Sequence, residues 1–180
     1  HFIGLSMGGM VGQVLGAHHG NRLRTLVLSS TSAHMPPPEL WAERIQAVRA
    51  GGTAAVVDGT IERWITRAGR QRLPEALEKV RAMILGTPTA GFVGCCAAIR
   101  DLDLREAIRA ITAPTLIVVG EHDQGTPVTM ARFIHERIAG SRLVVVPEAA
   151  HLLNVEQSEI FNRTVVPFLD GRRTQGSATP

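Results

Sequence analysis

Tyrosine is absent from the 180-residue sequence, lysine occurs once, at Lys79, and aromatic residues make up only 4%. Proteins that bind nucleic acids usually concentrate basic side chains and add aromatic rings on which bases stack. Here the formal net charge is +3, the arginines are spread among acidic residues, and no basic run is longer than the pair Arg172 and Arg173. The composition therefore argues against a nucleic-acid partner, and we expect none.

The two cysteines, Cys95 and Cys96, are adjacent, and neighbouring residues cannot form a disulfide without severe strain. A disulfide-stabilised scaffold is therefore excluded, and we expect a reducing, cytoplasmic compartment. The pair lies in an apolar helical stretch, which favours core packing over a nucleophilic role. The histidines are not spaced like metal ligands, so we expect neither a metal nor another cofactor.

No apolar run approaches the roughly 20 residues of a membrane-spanning helix, so we expect no membrane partner. The hydrophobic fraction of 44% and the mean hydropathy of +0.10 are typical of one globular domain or most of a larger one. The sequence begins at His1, inside a stretch that reads as a buried strand. We therefore expect the C-terminal portion of a longer protein, with upstream strands of its sheet missing.

A G-x-S-x-G motif, formed by Gly4, Ser6 and Gly8, lies between a strand-like stretch and a helical pattern that starts at Met7. A nucleophile elbow requires this context, because the sharp turn exposes the serine at the top of a sheet. We expect both glycines to be needed, since a Cβ would collide there. The N–H of Met7 is the expected oxyanion-hole donor, with a second donor from an upstream loop. Taken alone, the motif also fits a glycine-rich turn without chemistry.

Two regions of alternating strand and helix flank a long helical region. Residues 1–31 read as strand, helix and strand, and residues 112–170 resume this pattern, which predicts a mostly parallel sheet in an α/β fold. Between them, residues 32–111 contain helical segments but no convincing strand, which predicts a helical lid inserted into the core. The small and polar residues 171–180 are typical of a disordered tail or a linker.

Proline, glycine and apolar spacing mark the predicted helices. The first runs from Met7 to His19, one opens at Thr126 and stops at Gly140, and the last begins near Ser158. Pro167 inside the last helix is expected to kink or shorten it. The lid is predicted to contain helices over 38–50, from 53 to about 64, 74–86 and 88–99, with a short helical segment at 104–110.

Three polar residues each follow a predicted parallel strand: Ser6, Asp123 and His151. Because the carboxyl ends of parallel strands meet at one edge of a sheet, where ligands bind, we expect the three to converge. Taken singly, Asp123 reads as a loop carboxylate and His151 as a hydrogen-bonded loop histidine. In this chain order they predict a hydrolase triad, in which His151 takes the proton of Ser6 and Asp123 orients the imidazole.

The motifs around these residues resemble the α/β-hydrolase superfamily, and the lid motifs are similar to the 3-oxoadipate enol-lactonase family of the β-ketoadipate pathway. The likeness extends over residues 1–170. The superfamily motifs are Gly4–Met10, Gly120–Asp123 and Ala150–Gln157, and the lid motifs are Pro37–Trp41, Val48–Gly52, Ile61–Trp64 and Cys95–Arg105. The resemblance implies an α/β-hydrolase fold with a helical cap.

The resemblance also implies a small-molecule substrate, a five-membered enol-lactone that carries a carboxylate. Ser6 would open the ring, and water activated by His151 would release 3-oxoadipate. Lid arginines offer cations for the carboxylate, Arg63 among them, and Trp64 is expected to line the pocket. Some bacterial enol-lactonases are fused at their C-terminus to a carboxymuconolactone decarboxylase, so a fusion partner and a second copy of the chain both remain open. The lid arginines are Arg44, Arg49, Arg63 and Arg67.

Other readings remain open beside the enol-lactonase. A carboxylesterase or a cofactor-free haloperoxidase-like enzyme would use the same triad, whereas Ser6 argues against epoxide hydrolases and haloalkane dehalogenases, which place Asp at the elbow. An inactive fragment or a hydrolase-like binding protein is the non-enzymatic alternative. We expect the 180 residues alone to be poorly soluble and weakly active, because the strand before Ser6 would leave an open apolar edge.

Overall fold

A computed structural model of the chain describes residues 1–171. Its sheet has four strands, all parallel, in the spatial order β1-β2-β3-β4. The strands are β1 (Phe2–Leu5), β2 (Leu26–Ser29), β3 (Thr115–Gly120) and β4 (Arg142–Val146). The predicted parallel sheet is therefore confirmed, and all four carboxyl ends lie on one edge.

The central strands are apolar on both faces because helices cover both sides of the sheet. Val27 pairs with Leu116, and Leu28 pairs with Ile117. Leu28 and Ile117 belong to one buried cluster, whereas Val27 and Leu116 belong to a second cluster on the opposite face. Continuous apolar runs of this kind are typical of parallel strands buried between helices.

The helices of the core are α1 (Met7–His19), α7 (Val128–His135), α8 (Leu153–Glu156) and α9 (Ser158–Leu169). The helix α7 is shorter than the predicted span from Thr126 to Gly140. Pro167 was expected to kink or shorten the last helix; it does not end it, since α9 continues two residues beyond the proline, and a kink stays a prediction. Val165 and Phe168 are buried in the sheet's second cluster on either side of the proline, and this packing holds the final turn.

The lid, defined as residues 32–111, contains only helices and turns apart from an isolated bridge between His34 and Asp103. Four predicted helices are confirmed, and the segment near 104–110 forms a short 3₁₀ helix at Ala107–Ala110. The structure adds a helix without an apolar stripe, capped by the side chain of Thr66. The lid helices are α2 (Pro38–Gly51), α3 (Val57–Trp64), α4 (Arg67–Arg72), α5 (Pro74–Leu85) and α6 (Thr89–Asp101).

The lid has an apolar cluster of its own. Five buried side chains from α3, the residue after it, and α5 form this cluster, and Leu152 from the loop beside α8 packs against it. This contact joins the lid to the loop that carries His151. The two ends of the lid are also anchored in the core, since Ala33, Ile108 and Ile111 belong to its main buried cluster. The five side chains are Val57, Ile61, Ile65, Val80 and Ile84.

Within residues 1–171, no single helix is long and apolar enough to cross a membrane. The helices α5 and α6 reach that length only as a pair bent by 92°. Of the predicted core cysteines on α6, Cys96 is buried and Cys95 is partly buried.

The first strand is an edge of the sheet, since within the described residues β1 pairs only with β2. A strip of apolar side chains continues from this edge along α1. Ile3, Met7, Val11 and Val14 are between 37% and 53% exposed. An uncovered edge with apolar neighbours is prone to pair with another chain.

The turn at Ser6 brings α1 against β1 and the end of β2. A Cβ on Gly4 would overlap the carbonyl of Gly8, which confirms the predicted need for glycine at that position. The same prediction for Gly8 is wrong, because a Cβ there would meet no atom of residues 1–171 within 4 Å. The second close approach is at Gly9, whose added Cβ would lie 2.6 Å from Cβ of Thr31.

Two matched alanine substitutions test the difference in packing between Gly4 and Gly8. Gly4→Ala should destabilise the protein by about 3 kcal/mol, as expected for overpacking against a rigid backbone. Gly8→Ala should be neutral or stabilise α1 by up to roughly 1 kcal/mol, because alanine is the better helix former. Urea unfolding of both variants measures the difference. Equal free energies of unfolding for the two variants would contradict the packing described here.

Candidate active site

The loops after three parallel strands carry Ser6, Asp123 and His151 at one edge of the sheet. Ser6 follows β1 directly, Asp123 lies three residues beyond β3, and His151 lies five residues beyond β4. All three therefore occupy the carboxyl edge, where the topology of open α/β sheets places ligands. The three loops share this edge, Asp123 and His151 meet there, and the contact of Ser6 with His151 stays a prediction.

The backbone of Ser6 is held in a conformation that residues with a side chain rarely adopt, with φ of 55° and ψ of −116°. Such strain persists only where the surroundings fix it, and it clusters at functional sites. The Ser6 N–H donates to the carbonyl of Ser29 at 2.9 Å, and the hydroxyl of Thr31 donates to the Ser6 carbonyl at 2.7 Å. The end of β2 thus locks the turn that presents the serine.

Asp123 and His151 form a buried hydrogen-bonded pair. The Nδ1 atom of His151 lies 2.9 Å from Oδ2 of Asp123, and each residue is only 3% exposed. The other carboxylate oxygen, Oδ1, accepts hydrogen bonds from the N–H groups of Gly125 and Thr126, both at 2.9 Å. The hydroxyl of Thr126 donates to Oδ2 at 2.8 Å. This arrangement fixes which face of the imidazole meets the carboxylate and leaves Nε2 for chemistry.

The charge state of Asp123 results from two opposing effects. Burial acts to raise the pKa of its carboxyl, because the charged form loses hydration. The hydrogen bonds from His151 and Thr126, together with the charge of His151, outweigh burial and hold the pKa below its ordinary value. Asp123 is therefore a carboxylate at neutral pH, as a residue that orients and stabilises an imidazolium must be.

Ser6 is partly buried, and its Oγ makes no hydrogen bond within the described part of the chain. The structure thus forms the Asp123–His151 half of the predicted triad and places Ser6 on the same sheet edge. Catalytic hydrogen bonds often tighten only when substrate binds. The N–H of Met7, the first residue of α1, is likewise without a protein partner within residues 1–171, so it is available to a ligand.

Trp64 lies against the imidazole of His151. The ring centroids are 5.8 Å apart and the planes are inclined by 24°, a stacked arrangement. The carbonyl of Trp64 also accepts a hydrogen bond from the N–H of Leu152 at 2.9 Å. The sequence predicts that Trp64 lines the substrate pocket. The structure places it on the imidazole of His151, and contact with substrate stays a prediction.

A cavity of about 380 Å³ lies between the lid and the loops that carry Asp123 and His151. Arg63 and Arg67 line it, and neither is within ion-pair distance of an acidic side chain among residues 1–171. Arg70 is committed to the backbone carbonyls of Glu62 and Ile65. The lining residues are Glu62, Arg63, Thr66, Arg67, Arg70, His122, Gln124 and Ala150.

The other two lid arginines lie elsewhere. Arg44 is packed between the rings of Trp41 and Phe92 and donates to the hydroxyl of Thr60 at 2.6 Å. Burial and the nearby Arg63 lower the pKa of its guanidinium. Arg49 is exposed on the outer face of α2. Of the four lid arginines that were expected to offer cations for the carboxylate, only Arg63 and Arg67 line this cavity, and their contact with substrate stays a prediction.

Three supporting residues were not predicted from the sequence. Thr31 holds the elbow, Thr126 holds Asp123, and Glu156 accepts hydrogen bonds from both the lid and the loop before His151. Thr126 had a local signal, since a hydroxyl three residues after an aspartate commonly closes a loop onto it. Within residues 1–171, no group of three His, Cys, Asp or Glu side chains is arranged to hold a metal ion.

Comparison with known proteins assigns the family. The family model described as serine aminopeptidase, S33 (Hydrolase_4) matches residues 1–158. The chain belongs to this α/β-hydrolase family. The hydrolase is 34% identical to 3-oxoadipate enol-lactonase 2 of Acinetobacter baylyi, over 91% of its own length and 61% of that protein. It is 31% identical to a pimeloyl-(acyl-carrier protein) methyl ester esterase of Neisseria meningitidis serogroup B, over 94% of its length and 68% of the esterase.

The fold of the hydrolase matches a solved enol-lactonase. The crystal structure of the enol-lactonase from Burkholderia xenovorans LB400 superposes with a TM-score of 0.91 at 35% identity, over 93% of this chain and 64% of that one. These similarities confirm the α/β-hydrolase fold and the resemblance to enol-lactonases. The hydrolase spans about three-fifths of the length of the curated enol-lactonase it matches.

Asp123→Asn tests the buried pair through the pH dependence of stability. The amide cannot accept all the hydrogen bonds of the carboxylate, so the free energy of unfolding should fall by about 2 kcal/mol at pH 7. Because the pKa is lowered in the folded state, this contribution is complete above about pH 5 and is lost as pH falls through the folded pKa.

Urea unfolding of the unsubstituted protein and of Asp123→Asn, at pH 7 and at pH 2 to 3, measures the difference in their free energies of unfolding. This difference should shrink on acidification. Asp58→Asn is the matched control, because Asp58 is exposed and its ion pair with Arg81 lies at the surface. If the loss of unfolding free energy caused by Asp123→Asn is the same at low pH as at pH 7, the carboxylate of Asp123 is not held in its charged form.

Proposed function

We propose that this hydrolase opens the ring of 3-oxoadipate enol-lactone to give 3-oxoadipate, with Ser6, His151 and Asp123 as its triad. The observation that carries the proposal is the buried Asp123–His151 hydrogen bond at the sheet edge that also presents the strained Ser6. The similarity to two proteins named enol-lactonases supports the substrate.

In this mechanism His151 takes the proton of the Ser6 hydroxyl as Oγ attacks the lactone carbonyl. The N–H of Met7 donates to the oxyanion that forms on the carbonyl oxygen. The ring C–O bond then breaks while the acyl group stays on Ser6, and the leaving enolate oxygen takes the proton held by His151; the enol so formed tautomerises to a ketone. The neutral His151 then deprotonates water, which attacks the acyl-enzyme, and His151 returns that proton to Oγ of Ser6 as the product is released. Asp123 holds Nδ1 of His151 throughout.

The cavity between the lid and the residues next to Asp123 and His151 offers a binding group for the substrate's free carboxylate. Arg63 and Arg67 line it without an acidic partner among residues 1–171, and guanidinium groups bind carboxylates in a two-point geometry. A carboxylate held there lies at the lid side of the loops that carry Asp123 and His151. This position orients the lactone before Ser6 attacks.

A second candidate function is hydrolysis of an acyclic ester. The observation that favours it is the 31% identity to a methyl ester esterase. The match covers 68% of that esterase, whereas the match to the enol-lactonase covers 61% of its length. The triad chemistry is the same for both substrates. Only the leaving group differs, since a lactone keeps it attached to the product.

Ser6→Ala should lower kcat by about 10⁴-fold or more, because the nucleophile is lost while binding and oxyanion contacts remain. The measurement compares turnover of 3-oxoadipate enol-lactone with turnover of simple methyl and nitrophenyl esters by the full-length protein. Ser158→Ala, at an exposed position, is the control. Efficient ester turnover without lactone turnover would favour the second candidate, and an unaffected Ser6→Ala variant would reject the triad.

Arg63→Ala and Arg67→Ala should each raise KM for the lactone by roughly 10-fold with little change in kcat, because a contact made equally in ground and transition states is lost. The same variants should leave KM for an uncharged ester unchanged. Arg49→Ala, on the outer face of the lid, is the matched control for removal of a positive charge. A KM increase of equal size for Arg49→Ala would show that only the general field of the lid matters.

A further inference from the structure

Glu156 is a buried acid without a cationic partner. It ends α8, is only 5% exposed, and within residues 1–171 its carboxylate forms no ion pair with an arginine, lysine or histidine. An isolated buried carboxylate is costly unless hydrogen bonds replace the water it has lost. Its environment therefore has to supply donors to both oxygens.

The donors come from two separate parts of the fold. Oε1 accepts from the N–H of Thr66 at 3.0 Å and from the Thr66 hydroxyl at 2.6 Å. Oε2 accepts from the N–H of Ala150 at 2.7 Å. Thr66 caps the first turn of α4 in the lid, whereas Ala150 immediately precedes His151. One carboxylate thus joins the lid to the backbone of the catalytic histidine.

The neighbouring contacts tighten the same junction. On the other side of His151, the N–H of Leu152 donates to the carbonyl of Trp64 at 2.9 Å. Arg72 donates from Nη2 to the backbone carbonyl of Glu156 at 2.8 Å. Gly69 leaves the space for the carboxylate, since a Cβ there would overlap Oε1. The residues before and after His151 are therefore both hydrogen-bonded, one through Glu156 and one directly, to the lid segment Trp64–Thr66.

A glutamine cannot reproduce this arrangement, although it has the same shape. All three groups that meet the side chain are donors, and two of them lie on one oxygen with the third on the other. An amide presents an acceptor at one end and a donor at the other. Either orientation of glutamine places an N–H against an N–H, so the chemistry of the site requires a carboxylate.

We propose that Glu156 is a positioning residue for His151, which it fixes by tying the loop of the histidine to the lid. The imidazole is then held by Asp123 at Nδ1, by the Trp64 ring on its face and by the lid through its backbone. The proposal rests on the catalytic role proposed for His151. Its consequence is that the lid segment Trp64–Thr66 is a fixed support of the active site, so any opening of the lid must occur elsewhere in residues 32–111.

The test compares Glu156→Gln with Glu159→Gln, an exposed acid on α9, in the full-length protein. Glu156→Gln should lower kcat by about 10- to 100-fold, as expected for displacement of a catalytic group by a fraction of an ångström to 1 Å, with KM changed less than 3-fold. Amide hydrogen exchange at Ala150 and Thr66 should become at least about 10-fold faster. The proton NMR resonance of the His151 Nδ1–H, which reports its bond to Asp123, should shift or broaden. Glu159→Gln should change none of these.

If Glu156→Gln does not fold, Thr66→Val decides the question, because it removes one of the three donors and leaves the carboxylate in place. The same changes should then be seen with a smaller loss of kcat, about 3- to 10-fold. A folded variant with unchanged kcat, unchanged exchange at Ala150 and an unmoved His151 resonance would overturn the proposal. Exchange and NMR need no substrate, so the positioning role is tested even if the enol-lactone proves not to be the substrate.

Discussion

The parallel pairing of β1, β2, β3 and β4 is the constraint on which the site depends. Since every strand runs in the same direction, the loops that follow β1, β3 and β4 leave from one edge, and residues as distant in sequence as Ser6 and His151 are brought to it. The pairing in turn depends on strands that are apolar on both faces, with Val27 and Leu116 in one cluster and Leu28 and Ile117 in the other. The packing of helices on both sides of the sheet therefore determines the geometry of the loops that carry Ser6, Asp123 and His151.

Two buried carboxylates, those of Asp123 and Glu156, position the imidazole of His151. Asp123 contacts the side chain of His151 at Nδ1, and its own orientation is fixed by the N–H groups of Gly125 and Thr126. Glu156 contacts the backbone N–H before His151 and connects it to the lid. Both acids lie among hydrogen-bond donors of the backbone and of threonine, in addition to the histidine that Asp123 pairs with. Such donors are fixed in direction, which is what preorganisation of a catalytic group requires.

The sequence was sufficient for features that local pattern controls. Three such features have signals within about fifteen residues, and the structure agrees with them: the apolar run of β3, the Pro74-to-Gly86 interval of α5 and the strand–Ser6–helix context.

Features that depend on contacts between distant segments were not predicted from the sequence. Gly9 has to be glycine because Thr31 packs against it, and α9 continues past Pro167 where Val165 and Phe168 pack into the core. The short α4 has no apolar stripe to reveal it, and the role of Glu156 exists only once the lid meets the histidine loop.

The triad is inferred from the edge of the sheet, whereas the substrate has to be inferred from the lid. A buried Asp–His pair beside a serine serves esters and lactones alike, so it carries no information about which carbonyl compound is bound.

Selectivity has to come from the lid, and there the structure distinguishes arginines that the sequence presents as equivalent. Arg44 is committed to Trp41, Phe92 and Thr60, and Arg49 faces outward. Arg63 and Arg67 alone among these four combine a place in the cavity with a guanidinium that no acidic side chain of residues 1–171 neutralises. Because Trp64 and Thr66 lie between these two arginines in the segment from Arg63 to Arg67, the stretch that fixes His151 also carries the charges that would select an anionic substrate.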